Sequence, residues 1–224
     1  VNAVSGTLTF GSLGTRTAGA SINVVNTGVV NVTGTAGFAN AGTYFNSTDF
    51  AYSGAGTTLR APVYGTDAGF VTSAAALTAA SHDEITGSFA TNTVAINSLK
   101  ITGANTLTLN AAQTVTVGTG ALGAGIIQVG GSGSITGGTA LAASAVGNDF
   151  AIRVDGGANT LTINTPMTVS TAGLTKSGAG TLILGAANTF TGTTAINEGT
   201  VRLATGGTLG ANNINLAIRQ GATL

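Results

Sequence analysis

The sequence predicts an all-β fold in which short strands stack coil upon coil, a β-solenoid. Three observations predict it. Apolar runs of four to six residues alternate with Gly, Asn and Thr turns along nearly the whole chain, and almost none has helical spacing. Within the runs the period is two: in the stretch from Thr200 to Leu203, Val201 and Leu203 point one way, Thr200 and Arg202 the other. The segment GANTLTLN at 103–110 recurs as GANTLTIN at 157–164, 54 residues on, which is two or three coils of about 18–27 residues. Later Asn marks fall closer together, and such uneven spacing fits a β-helix with loops of variable length. Roughly ten coils at about 4.8 Å each would make a rod on the order of 50 Å long.

The elements follow in chain order. SGTLTF (5–10), ASINVVN (20–26) and GVVNVTG (28–34) read as strands, with a turn at Asn26-Thr27-Gly28. Residues 36–90 differ. All three Tyr, five of the eight Phe, the only His and four of the seven acids fall there, which predicts an irregular, loop-rich excursion in the N-terminal half. Ser81-x-x-Glu84 resembles a capping box and marks the one place for a short helix. From residue 91 the strand pattern returns and runs to the end, so 1–224 reads as a single elongated β-helix. Neither terminus shows a polar, Pro-bearing or helical cap, which predicts open strand edges at both ends of the rod.

Composition narrows the function. Charged residues are 6% of the 224, against about 25% in ordinary domains, and seven cations balance seven acids. Such a surface cannot supply phosphate contacts, so no nucleic-acid partner is expected. It also lacks the repulsion that keeps copies apart, which favours self-association. Gly is abundant, at 36 residues, but two Pro and no Gly-X-Y period exclude collagen. No Cys means no disulfide and no thiolate metal site. The longest apolar stretch, near 74–80, is far short of the ~20 residues of a membrane span. The chain opens and closes in mid-repeat pattern, which predicts a piece of a longer repeat protein.

Ser177-Gly-Ala-Gly-Thr-Leu, then Gly185-Ala-Ala-Asn-Thr-Phe-Thr-Gly-Thr-Thr, then Ile196-Asn-Glu-Gly-Thr-Val-Arg-Leu resembles the autotransporter-associated β-strand repeat of bacterial passenger regions. The likeness is close over about 35 residues and looser over 99–224. It implies a right-handed parallel β-helix on or outside a bacterial cell. With the composition, it suggests a structural or adhesive module whose partners are further copies or repeats of itself, or a surface glycan or other cell-surface partner.

Sites of chemistry are few. Gly118-Thr-Gly-Ala-Leu-Gly123 follows a strand, but no helix follows it, so it reads as a turn rather than a dinucleotide site, and no cofactor is expected. His82-Asp83-Glu84 is the one titratable cluster. Neighbours on an extended chain point apart, so a solvated loop is expected, with no metal centre or catalytic residue. Asp149, Arg153 and Asp155 are the acids and base that a carbohydrate-active enzyme would use; the plainer reading is a solvent-facing ion pair. Asn31-Val-Thr and Asn46-Ser-Thr match glycosylation sequons that a bacterial protein would carry incidentally. Tyr44, Phe45, Phe50, Tyr52, Tyr64 and Phe70 have two readings, a platform for a sugar or partner and a small core beneath the excursion. Repeated T-x-T pairs, as at 106–108, 114–116 and 160–162, raise a flat Thr array for ice, at irregular spacing.

Overall fold

The computed structural model describes residues 2–3, 6–13, 16–26, 28–34, 36–54, 58–118, 122–144, 149–168, 173–211 and 214–224. Thr119 to Ala121 of the Gly118–Gly123 motif and Thr27 of the first turn lie outside them.

From Phe70 onward the chain is a parallel β-helix with three faces. The first face is an eight-stranded sheet: Phe70–Ser73, His82–Ile85, Ser98–Thr102, Ala124–Val129, Phe150–Val154, Leu174–Ser177, Thr194–Ile196 and Leu216–Ile218. The second has six strands: Phe89–Thr91, Thr106–Leu109, Ser132–Gly137, Thr160–Ile163, Thr181–Leu184 and Thr200–Leu203. The third has four: Val94–Ile96, Thr114–Val117, Ala140–Ala143 and Met167–Thr168. Every pairing in these sheets is parallel and joins one coil to the next.

Period-two alternation turns every second side chain inward. The register aligns Leu99, Ile126, Ile152, Lys176, Ile196 and Ile218 in one inward file, and Leu107, Ile135, Ile163 and Leu184 in another. Each buried Leu or Ile contributes about 1.5–3 kcal/mol. Corners fall at glycines. In the stretch that matches the repeat, Gly178 and Gly199 have φ of 77° and 69°, and a Cβ on Gly199 would sit 2.4 Å from the Gly178 carbonyl oxygen. Only glycine fits there. The asparagines stack in short links: Asn110 Nδ2 donates to Asn92 Oδ1 at 2.9 Å, and Asn188 joins Met167 N to Thr208 O.

The two GANTLT segments are two coils apart, but their register is not the 54-residue offset. Leu107 pairs with Ile135 and Ile135 with Ile163, so the second copy sits one inward step along.

The first 60 residues do not lengthen this stack, and the rod is shorter than ten coils. Asn2–Ala3, Ile22–Asn26 and Thr43–Phe45 pair in parallel, as do Thr7–Phe10 and Val29–Val32. Asp49–Phe50 turns back antiparallel, and Gly37–Phe38, Tyr52–Ser53 and Leu59–Arg60 form an antiparallel sheet. This N-terminal unit lies along the eight-stranded face and runs against the rod's direction. Gly19 meets Thr175 and Asn197, Phe50 meets Gly125, Asp49 meets Lys100, and Phe38 meets His82. Residues 70–91 already belong to the rod.

The capping-box helix does not form. His82–Ile85 is a strand held between two parallel neighbours, and Ala80 at φ 59° leaves the helical region. The lower end of the rod is also not open. Residues 74–81 run beneath the first strands of the other faces, with Leu77 in the rod's core and Ala80 N bonded to Ala95 O at 2.9 Å. Asp83 pins this plug by accepting from Ser73 Oγ at 2.6 Å, Thr78 N at 2.9 Å and Ser81 Oγ at 3.1 Å.

Candidate functional site

The N-terminal unit covers the outer side of the eight-stranded face. Tyr44, Phe50, Tyr52 and Phe70 are buried there, and Phe45 and Tyr64 are half-buried. Phe38, Tyr44, Phe50, Tyr52 and Phe70 cluster with Ile127 of the rod; Tyr64 packs at the margin, and Phe45 belongs to the unit's own core. Phe50 seats over Gly125, where a Cβ would come within 2.7 Å of its ring. The aromatic set thus occupies the seam between unit and rod.

Charge gathers along the same seam. Lys100 Nζ lies 2.7 Å from Asp49 and 3.2 Å from Glu84, and over the Tyr64 ring. Arg16 pairs with Asp149, which also accepts from Thr175 and Gly19 N. Arg153 donates to Ser47 O and to Asp155 at 2.9 Å, with its guanidinium over the Tyr44 ring. The solvent-facing reading of Arg153 and Asp155 is therefore corrected: Arg153 and Asp149 are buried, because the unit lies over them. Asp149 faces Arg16 rather than joining an acid–base pair.

His82 and Asp83 are likewise buried, not in a solvated loop. The His82 ring lies 4.3 Å from both Phe38 and Phe70, centroid to centroid, and its Nδ1 is 2.8 Å from Ser98 Oγ. With no acid at the ring, burial pushes its pKa down to about 4. Asp83 points to the other side of the strand, and burial pushes its carboxyl up.

Sequence reasoning missed Lys176. It stands in the inward file, fully buried, and its ammonium donates to the carbonyls of Ser177, Gly178 and Glu198. Burial pulls its pKa down to about 7. A lone Lys between Thr175 and Ser177 in an apolar-spaced strand was the available signal. Arg16 left none, since its partner lies 133 residues away.

Other surfaces are bare. The outer side of the six-stranded face carries files of hydroxyls, Thr106–Ser134–Thr162 and Ser132–Thr160–Thr181–Thr200. The upper end of the rod exposes the strand Leu216–Ile218, with Leu216 at 43% and Ile218 at 46%. Among the described residues, no group of three or more His, Asp or Glu converges as a metal site would require, and no helix is long and apolar enough to cross a membrane.

The passenger-associated-transport-repeat family matches residues 174–203, the two coils that hold Gly178 and Gly199. The chain is also 43% identical over 67 residues to the adhesin BmaC autotransporter of Brucella suis biovar 1 (strain 1330). That match covers 30% of this chain and 2% of the relative's length. No solved structure matches this chain. Coil geometry and the family match fall on the same stretch: residues 174–203 carry an autotransporter passenger repeat, and with the adhesin likeness this places the chain at the cell surface or beyond.

Proposed function

We propose that the protein is a non-catalytic structural and adhesive rod of the cell surface, extended end to end at its upper edge. The observation that carries this is the Leu216–Ile218 strand. It continues the inward file into Ile218, pairs on one side only, and leaves its apolar residues exposed. A further coil, from the same polypeptide or from a second copy, would bury them. At the other end, residues 74–81 run beneath the first coil, with Leu77 in the core.

The non-catalytic part is supported by how the candidate groups are engaged. His82 is packed between two rings, and Asp149 and Asp155 are held by arginines. Of the six aromatic candidates, a glycan or surface partner would find Phe45 and Tyr64 partly accessible and the other four buried.

The test is the denatured mass of native material beside negative-stain images of it undenatured. Rods longer than one rod of eight coils, roughly 35 Å, support the reading. Single short rods at high concentration overturn it.

A further inference from the structure

Of the seven cations, five are engaged: Arg16, Arg60, Lys100 and Arg153 by carboxylates, Lys176 by carbonyls. All seven acids have partners as well, Glu198 accepting from Gly178 N and Asp83 from its hydroxyls. Among the described residues, the side chains of Arg202 and Arg219 have no ion-pair or hydrogen-bond partner. A chain of zero net charge therefore carries its uncompensated positive charge on these two arginines.

Arg219 lines a groove of about 340 Å³ between the N-terminal unit and the rod. The rest of its wall is Gly19, Ala20 and Ser21 from the unit and Asn197 from the rod. Two chain segments nearly 180 residues apart build it, and the Asn197 amide fixes them by donating to Gly19 O at 3.0 Å and Ser21 Oγ at 3.2 Å. That leaves specific functionality unspent. Ser21 accepts from Asn197 but has its own proton to give. Arg219 offers a guanidinium fork. The volume falls within the roughly 300–1,000 Å³ of small-ligand sites.

We propose that this groove binds a carboxylate-bearing saccharide, a uronic or sialic acid residue. Arg219 and the Ser21 hydroxyl receive the carboxylate, since a fork plus a hydroxyl matches its two oxygens. No side chain larger than Ala20 supplies apolar wall, so a peptide's side chains find nothing to fill, whereas a small polyhydroxylated ring does. The site goes beyond the end-to-end reading and does not depend on it, because binding to the free chain is read without fibres or cells.

The test is calorimetric titration of the intact chain with the methyl glycoside of N-acetylneuraminic acid and with a galacturonic acid oligomer. Methyl galactoside and a short poly-glutamate peptide serve as neutral and peptide probes. The expected result is binding of at least one acidic sugar, none of methyl galactoside, and a loss of about tenfold or more with Arg219→Ala. Arg219→Lys recovers part of it, and Arg202→Ala, on the other face, changes nothing. Arg219 and Arg202 are exposed, so these variants keep the fold. Failure of both acidic sugars to bind, binding indifferent to Arg219→Ala, or poly-glutamate binding as tightly would each overturn the proposal.

Discussion

The eight-stranded and six-stranded faces of the rod share a backbone plan but differ in what lies outside them. On the six-stranded face the strands Thr106–Leu109, Thr160–Ile163 and Thr181–Leu184 alternate half-exposed with buried, and the outer residues of the face are Thr, Ser, one Ala, one Ile and one Arg. On the eight-stranded face Phe150–Val154 and Leu174–Ser177 are buried at every position. Their outer side mixes small residues, Gly125, Ala151 and Thr175, with Lys100 and Arg153, which reach groups of the N-terminal unit. A parallel sheet buried on both sides loses the alternation of a one-sided sheet. The contrast teaches that one face is a seam and the other a surface.

Breaking the seam should cost most. Phe50→Ala removes a buried ring over Gly125 and is expected to destabilise by about 3–5 kcal/mol in urea unfolding, with amide exchange rising through 41–50. Loss of stability without that local rise would mean the unit is not docked through this ring.

Acid should act on the seam next. His82 is neutral in the folded protein, with its pKa near 4, and near 6.5 when unfolded. The unfolded chain thus binds the extra proton first, so stability is full above pH 6.5 and falls as pH drops toward 4. The loss is on the order of 3 kcal/mol. Asp49 and Asp83, whose buried carboxyls are pushed up, work in the opposite sense at low pH. Comparing wild type with His82→Phe isolates the histidine. The variant should keep the stacking on Phe38 and Phe70 and show a flatter profile between pH 6.5 and 4; identical profiles would remove His82 from the account.

Gly125→Ala sharpens the point with one methyl. Its Cβ would lie 2.7 Å from Phe50 Cε1, so the ring must shift, at a cost of about 1–3 kcal/mol. The matched control is Thr181→Ala on the bare face, expected to stay within about 0.5 kcal/mol. Equal effects from the two would mean the faces are not different in kind.

Much of the rod was legible because its cause is local. Thr106–Leu109 and Thr160–Ile163 show their inward side in their own spelling, and Gly178 and Gly199 mark corners that only glycine can turn. The seam was not legible. Tyr44, Phe50 and Phe70 announced a distinct region, but the same residues suit a core or a platform. The choice depended on Gly125 and Ile127, far along the chain. His82, Asp83 and Glu84 read as a solvated loop because nothing nearby in sequence showed the strands on either side of them. Of the groove, Arg219 and Asn197 stood in ordinary turn sequence, and Ser21 lies 176 residues from Asn197.

By itself the sequence determined the strands, their inward files, the glycine corners and the repeat that ties the chain to passenger regions. Alternation and turn chemistry act over a few residues, and every coil restates them. Only the tertiary structure decided that the first 60 residues fold back along one face, that 74–81 plug one end, and which charges are buried in pairs. Those outcomes rest on contacts such as Arg16 with Asp149 and Asp49 with Lys100. Their energy exists only once distant segments have met and water has left between them.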